Sequence, residues 1–258
     1  MRHDASQRAK GIASMVDSPA GEVPPANRQA AWFEAILFDF DGVIVDSEPI
    51  HLAGLQQVLS PLGVELSREN YYARYLGLND RDCLEAVARH TGIALAVDAT
   101  ERLIAAKTRF VQSVFAREVR ALPGAVEFIR DAHARGIPLA ICSGALRDEI
   151  RLAAGTIGVL DYFQVIVPAE DVICGKPDPA GYRLALERLS ACHGRPLDAR
   201  RTLVVEDAPA GVEAALASGM RVLAVATSFD AGLLGRAHRV VHSLADVSIE
   251  RLTEEVWG

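Results

Sequence analysis

The chain has 258 residues, half of them hydrophobic and 24% charged, with a formal net charge of −7. Those proportions describe a globular protein long enough for one domain with a sizeable insert. The acidic balance speaks against a general nucleic-acid or anionic-membrane binder, and no apolar run approaches the roughly 18 residues that cross a bilayer.

Residues 1–31 are polar and rich in Ala, Pro and Ser, without a central apolar stretch. They read as a flexible extension rather than a secretory signal. Trp32 and Trp257, near the two ends of the ordered chain, are expected to cover core edges. Ala35–Phe38 is a short apolar strand that runs straight into Asp39 and Asp41, followed by Gly42.

Residues 52–119 carry no convincing strand. Their apolar residues have helical spacing instead: Leu52, Leu55, Val58 and Leu59; Leu84, Val87 and Ala88; Leu103, Phe110, Val111 and Val114. Asn79 and Asp98 are expected N-caps, the latter with Glu101 three residues on. The spacing predicts a helical subdomain over 53–119, inserted into a core of residues 32–52 and 120–258. Linkers are expected near His51–Ala53 and Val119–Pro123.

Beyond the insert, helices expected over Ala125–Ala134, Ala180–Leu189 and Gly211–Ser218 alternate with strands. The strands are expected over Ile137–Cys142, Val165–Val167, Thr202–Val205, Val222–Ala226 and Arg239–Val241. Such alternation predicts an α/β fold, a Rossmann-like parallel sheet with helices on both faces. Cys83, Cys142, Cys174 and Cys192 form no pair or cluster with metal-site spacing. They read as scattered reduced thiols of a cytosolic protein.

The chemistry sits where strands end. Asp39 and Asp41 lie two apart, so on an ideal strand their side chains point the same way. Carboxylates buried at a strand end are costly unless a cation or donor meets them, and Gly42 allows close backbone approach. Three further segments follow predicted strands: Cys142-Ser143-Gly144, Gly175-Lys176-Pro177-Asp178 and Val205-Glu206-Asp207. In an open α/β sheet, ligands bind beyond the carboxyl ends of the strands, so these acids, one hydroxyl and one lysine should share a crevice. Acidic groups can hold a divalent cation, and the cation lets a carboxylate approach an anionic ester. Lysine and serine can hold phosphoryl oxygens, one carboxylate can act as nucleophile, and a second acid can move the proton.

With these segments in this order, the chain resembles the haloacid dehalogenase-like (HAD) phosphatase superfamily, in its branch with a helical cap inserted after the first strand. The resemblance spans roughly residues 33–250. It implies an enzyme in which Asp39 is the nucleophile and Asp41 the general acid/base. It also implies Mg2+ held by Asp39, the backbone carbonyl of Asp41 and Asp207, with Glu206 beside them. Ser143 and Lys176 would bind the phosphoryl group of a small phosphorylated metabolite. Substrate contacts are expected from Gly42 and Gly144, from His51 near the first linker, from Arg81 in the insert and from Arg147 after the Ser143 loop. The stretch Asp46-Ser47-Glu48-Pro49-Ile50-His51 also resembles the β-phosphoglucomutase branch. However, Ala145 and Leu146 stand where that branch has a serine and a lysine, and Asp80 stands near the place of its cap arginine. Hydrolysis of a small phosphomonoester is therefore the expected activity, with a phosphosugar mutase as the alternative and a non-enzymatic phospho-accepting or binding module further behind.

Overall fold

The structure, a computed structural model, describes residues 33–258. The expected N-terminal extension and Trp32 lie outside the described residues. Six strands form one parallel sheet: β1 (Ala35–Phe38), β2 (Leu139–Cys142), β3 (Val165–Val167), β4 (Thr202–Glu206), β5 (Arg221–Val225) and β6 (Arg239–Val241). Their order across the sheet is β3-β2-β1-β4-β5-β6. The order reverses between β1 and β4, where Phe38 pairs with Val205. A crevice beyond the carboxyl ends of these two strands is therefore the expected ligand site.

The central strands are buried along their whole length because helices cover both faces. One cluster gathers Phe38, Leu139, Val205 and Leu223 with α5 (Ala125–Ala134), α6 (Arg147–Thr156) and α9 (Ile249–Trp257). The other gathers Leu37, Ala140, Val204 and Val222 with α7 (Ala180–Cys192) and α8 (Pro209–Ala217). Phe38 meets Phe128 and Phe163 edge-on at 6.0 and 5.8 Å, and its full burial is worth about 1.5–3 kcal/mol. Trp257 stacks on Phe33 at the core edge, as expected of it.

Between β1 and β2 the chain forms α1 (Glu48–Leu59), α2 (Arg68–Arg74), α3 (Asp80–Thr91) and α4 (Val97–Glu118). Leu55, Leu59, Tyr71, Leu84 and Val87 give these helices an apolar cluster of their own. Val111 and Phe115, near the end of α4, belong instead to the main core.

Several sequence expectations shift for identifiable reasons. β2 starts at Leu139 rather than Ile137 because Pro138 has no N–H to donate; its carbonyl still accepts from Ile36 N at 3.0 Å. α8 starts at Pro209, whose fixed φ suits a first helical position. His51–Ala53, expected as a linker, lies inside α1, which Pro49 helps to start. Asn79 caps α3 by accepting from Asp82 N at 2.9 Å. Asp98 does not cap α4: the N-cap is Ala96, and Asp98 pairs with Arg102 at 2.7 Å one turn on.

Candidate active site

After β1 the chain turns tightly. Ile44 N and Val45 N both donate to Phe40 O, and Gly42 N donates to Val45 O at 2.9 Å. This turn needs φ +73° at Gly42, and a Cβ there would overlap the Asp207 carboxylate and crowd Ser228. The expectation that Gly42 contacts substrate gives way to a packing role: its missing side chain lets the Asp39–Asp41 loop close on Asp207.

Asp39, Glu206 and Asp207 come together at the β1/β4 switch point, all buried, with one carboxylate oxygen of each within 4.8 Å of the others. Lys176 Nζ donates to Asp39 Oδ1 and, at 2.6 Å, to Glu206 Oε1. Glu206 is fully engaged. Its Oε1 also accepts from the Tyr182 hydroxyl at 2.8 Å, and its Oε2 accepts from the N–H groups of Asp207 and Ala208 at 2.8 and 3.0 Å. Gly211, at the start of α8, leaves the room this carboxylate occupies. Tyr182 also lies under the Lys176 ammonium, 5.0 Å from ring centroid to nitrogen.

Three buried carboxylates thus share one ammonium, and the shortage of positive charge shows in their acidities. Burial raises the Asp39 pKa to about 7, and Glu206 and Asp41 add to the rise against the pull of Lys176. Burial, Glu206 and Asp39 likewise hold the Asp207 carboxyl well above its ordinary range, opposed by its hydrogen bond to Ser228. Lys176 is pushed the other way: burial lowers it, but Asp39 and Glu206 outweigh burial and keep it protonated. An all-oxygen, acid-rich pocket short of positive charge fits a hard divalent cation.

Asp41 does not join the triplet. Its Oδ2 lies 3.4 Å from the Ser143 hydroxyl, and its buried Oδ1 has no hydrogen-bond partner among the described residues, with His51 Nε2 3.8 Å away. Burial would raise the Asp41 pKa, but His51, Ser47 and Lys107 outweigh it and hold the carboxyl below its ordinary value. His51 is pulled down by burial and Lys107, yet Asp41 and Glu48 raise it overall. The adjacent acids Asp39 and Asp41 are thereby driven in opposite directions, the usual sign of divided acid–base roles. Ser143 is buried, and its hydroxyl accepts from Ala145 N at 3.0 Å. Gly144 is exposed, with open space around it.

The structure therefore brings together Asp39, Asp41, Ser143, Lys176, Glu206, Asp207 and His51. Two expected substrate contacts turn elsewhere. Arg81 pairs with Glu101 on the outside of the insert, because one residue of helix rotation gives the inward place to Asp80, which pairs with Lys107. Arg147 is bound through Nη2 to both oxygens of Asp171 at 2.8 Å. Sequence reasoning missed Tyr182, Ser228, Lys107 and Glu149. The last two carried a readable signal. Lys107 sits on the Val111–Phe115 stripe of α4, and Glu149 on the Ala153 stripe of α6, and a charge on a buried stripe needs a partner.

The model of the family described as haloacid dehalogenase-like hydrolase matches residues 36–225. The chain belongs to the haloacid dehalogenase-like hydrolases. Within the family it is 32% identical over 225 residues to hexitol phosphatase A of Escherichia coli, covering 84% of this chain and 94% of that one. It is 28% identical to the validoxylamine A 7'-phosphate phosphatase of Streptomyces hygroscopicus, over 87% of this chain and 97% of that one. Its fold matches the crystal structure of CbbY from Rhodobacter sphaeroides in complex with phosphate, with a TM-score of 0.74 at 26% identity, over 83% of this chain and 96% of that one. As a haloacid dehalogenase-like hydrolase the chain is an enzyme, and its parallel sheet with flanking helices is the fold of that group. No helix among the described residues is long and apolar enough to cross a membrane.

Proposed function

We propose that the chain is a Mg2+-dependent phosphatase that hydrolyses a small phosphomonoester, a sugar phosphate in kind, through an aspartyl-phosphate on Asp39. The observation that carries this reading is the buried triplet of Asp39, Glu206 and Asp207 around one lysine, with Asp41 held apart on His51. Asp39, Asp207 and the backbone carbonyl of Asp41 would hold the cation, with Glu206 fixed behind them by Lys176, Tyr182 and two N–H groups. When bound, the cation neutralises phosphoryl charge so that an anionic carboxylate can approach phosphorus.

The rest falls to the chain's own residues. Lys176 and Ser143 hold phosphoryl oxygens. An Asp39 oxygen attacks phosphorus, and the bond to the leaving oxygen breaks as Asp41 gives it a proton. Water then attacks the phosphorus of the aspartyl-phosphate, Asp41 takes the proton, and the bond to Asp39 breaks to free inorganic phosphate. Asp41 starts ionised beside His51; a phosphate dianion placed next to it favours proton uptake, which prepares it for the first step. The helices of residues 53–119 would act as the cap that closes over the substrate. Free thiols at Cys83, Cys142, Cys174 and Cys192 support a place in the reducing cytosol. Hydrolysis of p-nitrophenyl phosphate tests the reading. Turnover should require Mg2+, and Asp39→Asn should lower kcat by about 10⁴-fold or more, as losing a covalent nucleophile does. Full activity in that variant, or equal turnover with the metal chelated, would sink it.

A further inference from the structure

The loop that carries Lys176 is tied at its base to the loop that carries Ser143. β2 and β3 end side by side, and Ser143 N donates to Val167 O at 3.0 Å. Beyond that rung, three consecutive residues after β3 each hold the chain after β2. Ala169 N donates to Ala145 O at 3.0 Å. The Glu170 carboxylate accepts from Arg147 N at 3.1 and 3.2 Å, at the first turn of α6. Asp171 accepts from Arg147 Nη2 at 2.8 Å on both oxygens and also pairs with Arg188 Nη1 of α7. The Asp171 carboxylate, 15% exposed, thus gathers guanidinium groups from two helices. The stretch that follows is held by less. Val172 packs on the α7-side core, whereas Ile173, Cys174 and Gly175 are exposed. Past Lys176, Asp178 Oδ1 accepts from Ala180 N at 2.8 Å and joins the loop to the start of α7. Lys176 therefore rides on residues 172–179, anchored at one end by the Asp171 clasp and at the other by α7.

We propose that Asp171 is a positioning residue: clasped by Arg147 and Arg188, it fixes where Lys176 stands relative to Ser143 and so sets the seat of the phosphoryl group. The inference rests on the phosphatase reading, in which those two side chains hold phosphoryl oxygens. Its physical ground is a competition. Lys176 pairs with Asp39 and Glu206, which draw its ammonium into the acid cluster, while a phosphoryl group must draw it toward Ser143. A loop free to follow the acids would carry the ammonium away; a clasped loop keeps it within reach of both. The ion pairs themselves add little to the stability of the fold, because the two arginines are 41% and 42% exposed and water screens such contacts. What they supply is position, and a misplacement of about 1 Å can cost about 100-fold in rate.

The test measures kcat/KM for p-nitrophenyl phosphate, the inhibition constant of inorganic phosphate and Tm in Asp171→Asn, Arg147→Gln and Arg188→Gln. Asp171→Asn should lower kcat/KM and weaken phosphate inhibition, each by about tenfold, and either arginine variant by about threefold. Tm should stay within about 4 °C of the wild type. Added to Lys176→Met, Asp171→Asn should cost less than about a further twofold in kcat/KM, because its effect passes through Lys176. A merely structural role would cost as much in either background. Should Asp171→Asn fail to fold, the two arginine variants decide the matter by the same measurements. If the wild type does not hydrolyse p-nitrophenyl phosphate, the phosphatase reading fails and this inference with it. If it does, but phosphate inhibition is unmoved in the variants, or Asp171→Asn costs as much without Lys176 as with it, the positioning role is overturned and the phosphatase reading stands.

Discussion

The two charged clusters that meet at Asp39 and Asp41 are built differently. The triplet of Asp39, Glu206 and Asp207 hangs on adjacent strand ends, where the β1–β4 register places each carboxylate before any side chain packs. The cluster of His51, Asp80, Lys107 and Glu149 is assembled from helices, with contacts spanning 27 and 56 residues of sequence. The first is pinned by backbone ladders and N–H groups; the second depends on α1, α3 and α4 keeping their positions over α6. The first cluster should therefore be rigid, and the second should move with the helices.

Asp41 lies at the junction, and replacing it gives the largest effect that bears on the contrast. Asp41→Asn would remove the proton donor of the proposed mechanism and leave the triplet in place. General acid–base catalysis is worth about 10²–10⁴-fold, so kcat toward a sugar phosphate, whose alkoxide needs a proton, should fall by that much. Turnover of p-nitrophenyl phosphate, whose leaving group needs none, should fall far less in its first step. Equal losses with both substrates would show that Asp41 serves the triplet rather than the leaving-group side.

The strand-end cluster was legible in the chain, because motif and geometry coincide there: an apolar run, then an acid, with no tertiary guess needed. Ser143, Glu206 and Asp207 sit at strand ends in the same way, whereas Lys176 comes later, in the loop beyond β3, and reaches the cluster through Asp39 and Glu206. The helix cluster was not legible. His51 could be suspected, but whether Asp80 or Arg81 faces inward turns on one residue of helix rotation, and Asn79 as the N-cap sets that phase. Arg147 was misread for a similar reason: α6 starts at this residue, and its side chain finds Asp171 before it finds the crevice.

Rigidity of the strand-end cluster predicts intolerance to added atoms. In Gly211→Ala the new methyl would overlap the Glu206 carboxylate, which four donors hold in place. Overpacking of this kind costs about 1–3 kcal/mol, so thermal unfolding should show a clear drop in Tm. Gly144→Ala, with open space around it, should leave Tm within experimental error. A Gly211→Ala protein as stable as the wild type would mean that Glu206 can move and that the cluster is less fixed than its hydrogen bonds indicate.

Metal removal probes the same cluster through protons. Without a cation, the Asp39 pKa stands at about 7 and that of Asp207 is also raised, chiefly by burial. Both carboxyls must lose their protons to bind metal, so Mg2+ affinity should rise with pH below about 7, by about tenfold per unit for each proton released. Stability of the metal-free protein should run the other way. A carboxyl whose folded pKa exceeds its unfolded one makes the native state hold more protons, so stability falls as pH rises from about 4 toward 7, by up to about 1.4 kcal/mol per unit for each such group. Calorimetric Mg2+ titrations and Tm measured across that range check both slopes. A flat affinity profile would show that the acids are already ionised and that the triplet is not short of positive charge.

The smallest effect asks how Glu206 is held. Its two oxygens take four donors, and three of those would stay in Tyr182→Phe. The ring would still fill the core of the α7 face and still lie under Lys176, so packing and the cation–π contact survive. What is lost is one charge-assisted hydrogen bond at 2.8 Å, worth about 1.5–3 kcal/mol when intact, offset because the phenylalanine leaves no buried hydroxyl unpaired. The net change in stability should be about 1 kcal/mol. The freed Glu206 oxygen carries more charge, which draws Lys176 from Asp39 toward Glu206. Asp39 then loses part of its counter-charge, so Mg2+ should bind the variant at least as tightly as the wild type while kcat falls modestly. Weaker Mg2+ binding with unchanged kcat would instead make Tyr182 a positioner of the metal cluster, separate from the nucleophile.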